Sequence, residues 1–276
     1  MVPSPTLIGE LAALLPNRVE EHYGPGPRVE NLRRALAAFA GDRSPVVPGT
    51  LAALETMAQT VFRHLELTHQ LGLVPQLRSP GWPEGDLSEI RRAGADIAMA
   101  QRQPDGSGMI RLTGLAPVQA AGPLLAGAFT LLRDADPITL DLRDNTGGDP
   151  ATVALIVDWL AGDVPRHLFD VVYRDRVRQW WTAGNPCAEP PTGAVRALIG
   201  ARTYSSGEAL AWVLKDHGLA TLVGEPTRGA ADHVVPLALA HDVHALIPEA
   251  HVVAADGGPT WEGSGVHPDL SAAEAT

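Results

Sequence analysis

The sequence predicts an α/β protein, with a helical N-terminal part ahead of a core in which strands and helices alternate. Three observations carry this reading. The first 78 residues place apolar side chains at helical spacing between Pro/Gly loops. Beyond about residue 100, short apolar β-type runs alternate with apolar-faced helices, the pattern of an α/β layer structure. The 276 residues suffice for one large domain or two modest ones. The expected division is a helical domain over 1–78 and an α/β core over 79–276.

Taken in order, residues 7–15, 29–39 and 51–65 read as helices, separated by YGPGP and SPVVPGT. Residues 71–74 read as a strand, followed by a polar Gly/Pro loop over 78–86. Then come a strand at 108–112, a long helix at 116–132, a short buried strand at 138–142 (ITLDL) and a helix at 150–160. A strand at 195–199, a helix at 207–216, a strand at 220–223 and short β segments over 234–253 complete the chain. No internal repeat, coiled coil or low-complexity tract interrupts this order.

Composition narrows the function classes. A formal charge of −11 argues against nucleic-acid and anionic-membrane partners. The single cysteine, Cys187, can form no internal disulfide and sits in NPCAEPP as an incidental residue. No Cys/His group has zinc spacing, so neither metal nor other cofactor is expected. The N-terminal MVPSPTLIGELAALLPN lacks the basic start and long apolar centre of a secretory signal, and no stretch is long and charge-free enough to span a bilayer. A cytoplasmic location is expected.

Chemistry enters with TYSSGEALAW, residues 203–212. A serine ahead of an apolar run with an acid at its start is a helix-entry signature, so Ser205 and Ser206 read first as capping residues. LDLRDNTGGDP (140–150) is a strand, a turn with paired glycines, then a helix. Gly147 and Gly148 allow close backbone approach to a ligand and can aim N–H groups at an anion. The turn lacks the Walker lysine and the spacing of dinucleotide sites. TWEGSGVHPDL (260–270) alone would be an ordinary Gly-punctuated terminus.

Together and in this order, LDLRDNTGG, TYSSGE, GEPTRG (224–229) and TWEGSGVHPD resemble the S41 serine peptidases, the tail-specific or C-terminal-processing family. The likeness is nearer to the branch of the tricorn core protease and the interphotoreceptor retinoid-binding protein repeats, and no segment reads as a PDZ domain. The resemblance implies a core like the crotonase and Clp-protease folds. It implies Ser205 as nucleophile and Glu262 as the acidic partner of the base. The lysine base of the processing branch is replaced here by Ala230. Of 21 basic residues only Lys215 is a lysine, and it follows Ser205 by ten positions on the predicted helix. A rise of 1.5 Å per residue puts it roughly 15 Å away, beyond reach of a hydrogen bond. The resemblance to the tricorn-like branch implies instead a histidine base from the N-terminal part, here from FRHLELTHQLGLVP, either His64 or His69, and aligning Met57 and Val61 with the family's pattern favours His69. His233 is a further candidate or merely a strand residue.

Such a set would perform acyl transfer. An imidazole activates the serine hydroxyl, Glu262 fixes the imidazole, and the amides of Ser206 and of Gly147 or Gly148 hold the oxyanion. Arg143 and Asp144 are expected in structural ion pairs, and Arg228 is a candidate for a substrate carboxylate. Trp180, Trp181 and Trp212 read as core or as an apolar pocket. The reading is a serine hydrolase cleaving a peptide or small amide, with a homo-oligomer possible. Its alternatives on the same fold are a non-proteolytic binder of apolar ligands and a biosynthetic acyl-transfer enzyme.

Overall fold

The computed structural model describes residues 6–69, 86–185, 189–240 and 243–274. The expected strand at 71–74, the 78/79 boundary, Cys187 and all but the last residue of the 78–86 loop lie outside the described residues. In chain order the elements are α1 (Ile8–Tyr23), α2 (Pro27–Leu36), α3 (Pro48–Ala58), β1 (Glu66–His69), α4 (Leu87–Arg92), β2 (Ile97–Arg102), β3 (Gly108–Leu112), α5 (Val118–Leu131), β4 (Ile138–Asp141), α6 (Pro150–Ala161), β5 (His167–Tyr173), β6 (Val177–Trp181), β7 (Val195–Ile199), α7 (Ser206–Asp216), β8 (Thr221–Gly224), β9 (His233–Ala240) and β10 (Val243–Ala254). This is the mixed α/β architecture expected, with its helical N-terminal region. The two compact units are not contiguous in sequence. One joins the N-terminal residues 6–69 to Val171–Arg178 and Asp232–Val252, and the other holds the remainder.

In the first unit, α1, α2 and α3 bury Leu11, Leu15, Leu32 and Leu54 against Phe62, Leu65 and the sheet residues Val243 and Ile247. α1 continues through Pro16 to Tyr23, where sequence suggested a stop near residue 15. Buried Val19, one turn beyond the proline, gives the continuation its packing reward. The third helix is shorter than its apolar pattern. Its last turn instead reaches forward: Gln59 Nε2 donates to the Leu65 carbonyl at 2.8 Å, and Glu55 Oε2 accepts the Leu67 amide at 2.6 Å. These bonds turn the chain into β1, which pairs antiparallel with β10, His69 opposite Val243. β9 pairs with the same strand. Arg28 ties the unit's polar interior together. It donates to Tyr23 Oη at 2.8 Å and the Val61 carbonyl at 2.9 Å, lies over the Phe62 ring, and pairs with the buried Asp232 carboxylate at 2.9 Å.

In the second unit, β3, β4, β7 and β8 run parallel, and β2 closes one edge antiparallel. The parallel strands carry near-continuous apolar runs, as strands covered on both faces must: Ile110, Leu140, Ala197, Ile199 and Leu222 are buried. α6 begins at Pro150 in the first-turn position that needs no N–H, capped by Asp149 Oδ1 on the Ala151 amide at 2.9 Å. Adjacent parallel strands β4 and β7 thus each end in a turn that leads to a helix, α6 and α7. Crevices outside the carboxyl ends of such strands are where open α/β sheets bind ligands.

Candidate active site

The two turns interlock. Asn145, fully buried, donates from Nδ2 to the Leu112 and Gly114 carbonyls at 3.2 and 3.3 Å. Its Oδ1 accepts the Gly147 amide at 2.9 Å, and its carbonyl accepts the Tyr204 amide at 2.9 Å. Thr203 Oγ1 donates to the Leu142 carbonyl at 2.8 Å, and Ser206 Oγ to the Gly148 carbonyl at 2.8 Å. The turn after β4 is therefore clamped to the turn before α7 from both sides.

Ser205 sits at the junction, immediately before α7, with φ 53° and ψ −125°. A left-handed φ at a residue with a Cβ costs on the order of 1–3 kcal/mol and persists only where surroundings over-determine it. Gly147 shows how closely: a Cβ there would lie 2.7 Å from that of Ser205. Although Ser205 occupies the N-cap position, its side chain makes no capping bond. Among the described residues its hydroxyl has no hydrogen-bond partner. The capping expectation holds for position but not for the hydroxyl. The Gly147 amide is spent on Asn145, whereas among the described residues the amides of Gly148 and Ser206 have no acceptor. Gly148, at φ 139°, is obligatory, because any Cβ there would collide with the Leu115 carbonyl.

Behind the serine lies a residue that sequence treated only as part of a cap. Glu208 is fully buried and accepts four hydrogen bonds. Oε1 takes the Thr227 hydroxyl and the Gly229 amide, both at 2.6 Å; Oε2 takes the Ser205 amide at 3.0 Å and the Ala230 amide at 2.9 Å. Burial pushes its pKa up, and the four hydrogen bonds pull the other way. Thr227 Oγ1 also accepts the Val266 amide at 2.7 Å, and the Gly263 amide donates to the Gly229 carbonyl at 2.8 Å. TYSSGE, GEPTRG and WEGSG, three separate motifs in sequence, are thus one hydrogen-bonded body. Glu262 belongs to it: its Oε2 accepts the Ala231 amide at 2.7 Å.

The other candidates fall as follows. His69 ends β1 in the first unit and is half-buried. His64, in the same unit, is buried with Nδ1 2.5 Å from the Asp232 carbonyl. His233 begins β9 and pairs with Glu249 at 2.9 Å. Lys215, at the far end of α7 from Ser205, binds Asp269 at 2.8 Å and the His267 carbonyl at 2.9 Å, as its spacing required. Arg143 makes a two-pronged bond to Asp141 at 2.9 and 2.8 Å and holds that carboxyl below the usual range. Asp144 pairs with Arg111 and Arg202. Arg228 is exposed, its guanidinium 4.6 Å above the Tyr204 ring. Trp212 packs on buried Trp261, Trp180 against Phe169, and half-exposed Trp181 stacks on His167. No cluster of metal-ligating side chains occurs, and no helix is long and apolar enough to cross a membrane, among the described residues.

The sequence profile of peptidase family S41 matches residues 106–272. Solved structures share the fold. A protein of Parabacteroides merdae aligns over 96% of this chain and 90% of its own at 13% identity and a TM-score of 0.66. A lipoprotein from Streptococcus agalactiae aligns over 98% and 94% at 14% identity and a TM-score of 0.60. The photosystem II D1 C-terminal processing protease aligns over 64% of this chain at 20% identity and a TM-score of 0.49, and the chain spans only 46% of that protein.

Proposed function

Because this chain belongs to peptidase family S41, we propose that it is a serine-type peptidase with Ser205 as nucleophile. One observation carries the reading: a serine hydroxyl on a strained turn at a helix N-terminus, beside two amides, all three without a hydrogen-bond partner among the described residues. The site suits acyl transfer. Ser205 Oγ attacks the peptide carbonyl as an imidazole takes its proton, and the tetrahedral oxyanion meets the amides of Gly148 and Ser206. Collapse expels the amine, which takes the proton from the imidazolium, and water then releases the acyl group by the same steps. The positive end of α7 adds to the stabilisation of the anion. Gly147, whose amide is engaged, acts through shape.

The base in this reading is His69, favoured by the alignment of Met57 and Val61 with the family's pattern, with Glu262 to orient and stabilise the imidazole. Arg228, exposed and stacked on Tyr204, is proposed to receive a substrate carboxylate, which suits cleavage near a chain end. A peptide or small amide is the substrate class.

The test is fluorophosphonate labelling with peptide mass mapping, on wild type and on Ser205→Ala, His69→Ala and His64→Ala. A single adduct on Ser205, slowed strongly by the His69 change and not by the His64 change, is expected. Absence of any adduct on folded wild type would favour the ligand-binding alternative. Release of the acyl group to an amine rather than to water would favour the acyl-transfer alternative.

A further inference from the structure

We propose that Glu208 is a positioning residue for the nucleophile: an ionised carboxylate that holds the Ser205 N–H and so reserves the Gly148 and Ser206 amides for the substrate. The proposal rests on the reading of Ser205 as nucleophile. The chemistry of the four partners supports it. Three are amide N–H groups, which cannot accept a proton. The fourth, Thr227 Oγ1, already accepts from the Val266 amide and so presents its own hydrogen to Glu208. Three partners can only donate, and a carboxyl proton could go only to the second lone pair of Thr227 Oγ1, whose own hydrogen would then have to leave Glu208, so the cradle as it stands suits the charged form.

That placement answers a question the strained turn raises. Ser205 keeps φ at 53° although its own side chain contributes no cap. Glu208, three residues on, reaches back to the Ser205 amide and fixes the peptide plane that aims Oγ. It also engages Gly229 and Ala230. Without the carboxylate, three unspent amides and a hydroxyl would line a hole beside the serine and compete for any anion. A buried negative charge near a developing oxyanion costs something, and its position in the first turn of α7 offsets part of that.

Glutamine does not reproduce this set. Its NH2 end would face either Ser205 and Ala230, losing two bonds, or Thr227 and Gly229, losing the Gly229 bond and reversing the Thr227 hydroxyl. The experiment measures fluorophosphonate inactivation across probe concentrations, giving a maximal rate and a half-saturating concentration, for wild type, Glu208→Gln and Glu208→Ala. The maximal rate should fall about 100-fold in Glu208→Gln while half-saturation stays within about two-fold, because the defect lies in aim rather than in binding. Formate, a carboxylate small enough for the hole, should restore the Glu208→Ala rate at least about ten-fold and leave wild type and Ser205→Ala unchanged.

A Glu208→Gln protein that is folded and labels at the wild-type rate overturns the proposal. So does a folded Glu208→Ala protein whose loss formate does not repair. Wild type that takes no label fails the nucleophile reading instead. Nuclear magnetic resonance of the Ser205, Gly229 and Ala230 amides then still decides the hydrogen-bond set: shifts unmoved by Glu208→Gln overturn it.

Discussion

Gly147→Ala is the sharpest probe of how the nucleophile is aimed. The added carbon would sit 2.7 Å from Ser205 Cβ, 3.0 Å from the Tyr204 carbonyl oxygen and 3.1 Å from the Ser206 nitrogen. Carbon atoms in contact prefer 3.5–4.0 Å, so roughly 1 Å must be found. The blocking atoms are Cβ and backbone, with no flexible tip to swing aside. A φ of 90° adds a penalty of about 1–2 kcal/mol for a residue with a Cβ. If the serine turn yields, Oγ moves by up to about 1 Å, which lowers the reaction rate about 100-fold, or about 2.7 kcal/mol. If the glycine turn yields, the Gly148 amide leaves the oxyanion position at similar cost. The stability loss should be of similar size, about 1–3 kcal/mol, and visible as a fall in Tm of several degrees. The assay is the second-order rate of fluorophosphonate labelling, paired with a circular-dichroism melt. Labelling within two-fold of wild type, in a protein that melts as wild type, would refute the claim that these turns are locked together.

Three further outcomes are expected. Lys215→Ala should leave labelling unchanged and cost at most about 1 kcal/mol in urea unfolding, since its Asp269 partner is a surface pair; a large kinetic loss would revive a lysine base. Asp141→Asn should cost about 1.5 kcal/mol near neutral pH, because Arg143 holds that carboxyl below its ordinary value. A depressed folded pKa gives stability that is complete above the unfolded value near 3.9 and lost as pH falls through the folded one, so the gap between mutant and wild-type urea midpoints should close below about pH 4 and nowhere else. Arg28→Ala takes the cation from buried Asp232 and should cost on the order of 3 kcal/mol in urea unfolding; a loss under 1 kcal/mol would show that pair to be peripheral.

What the sequence revealed followed the strength of its local signals. β3, β4, β7 and β8 are apolar, and α5, α6 and α7 are flanked by Pro, Gly or acidic signals, so their positions were readable within a few residues. α4 is six residues with no buried side chain, and so writes no amphipathic pattern. β6, VRQWW, has exposed residues on both faces and therefore no alternation to detect. β1 was hidden because the helical periodicity ran on through Phe62 and Leu65, which are buried by tertiary packing rather than by a helix face. At the site, Ser205, Gly147 and Gly148 were visible as motif letters. The duties of Asn145 and Glu208 were not, because each binds backbone groups from loops distant in sequence. An acid three residues after a serine spells a capping box and a nucleophile's support equally well. The buried exposure of Glu208 is what separates them.

The order in which the chain is made has a cost of its own. The helices of residues 6–69 lay their apolar sides against Leu239, Val243, Ala245 and Ile247. Those partners leave the ribosome about 170 residues later, a wait of about 10 to 35 s at ordinary synthesis rates. During it, Leu11, Leu15 and Leu32 have each other but not the strands that complete their cover. A nascent chain stalled before β9 would therefore carry greasy, unfinished helices, and its fate in the cell would turn on whatever shields them until β9 and β10 arrive.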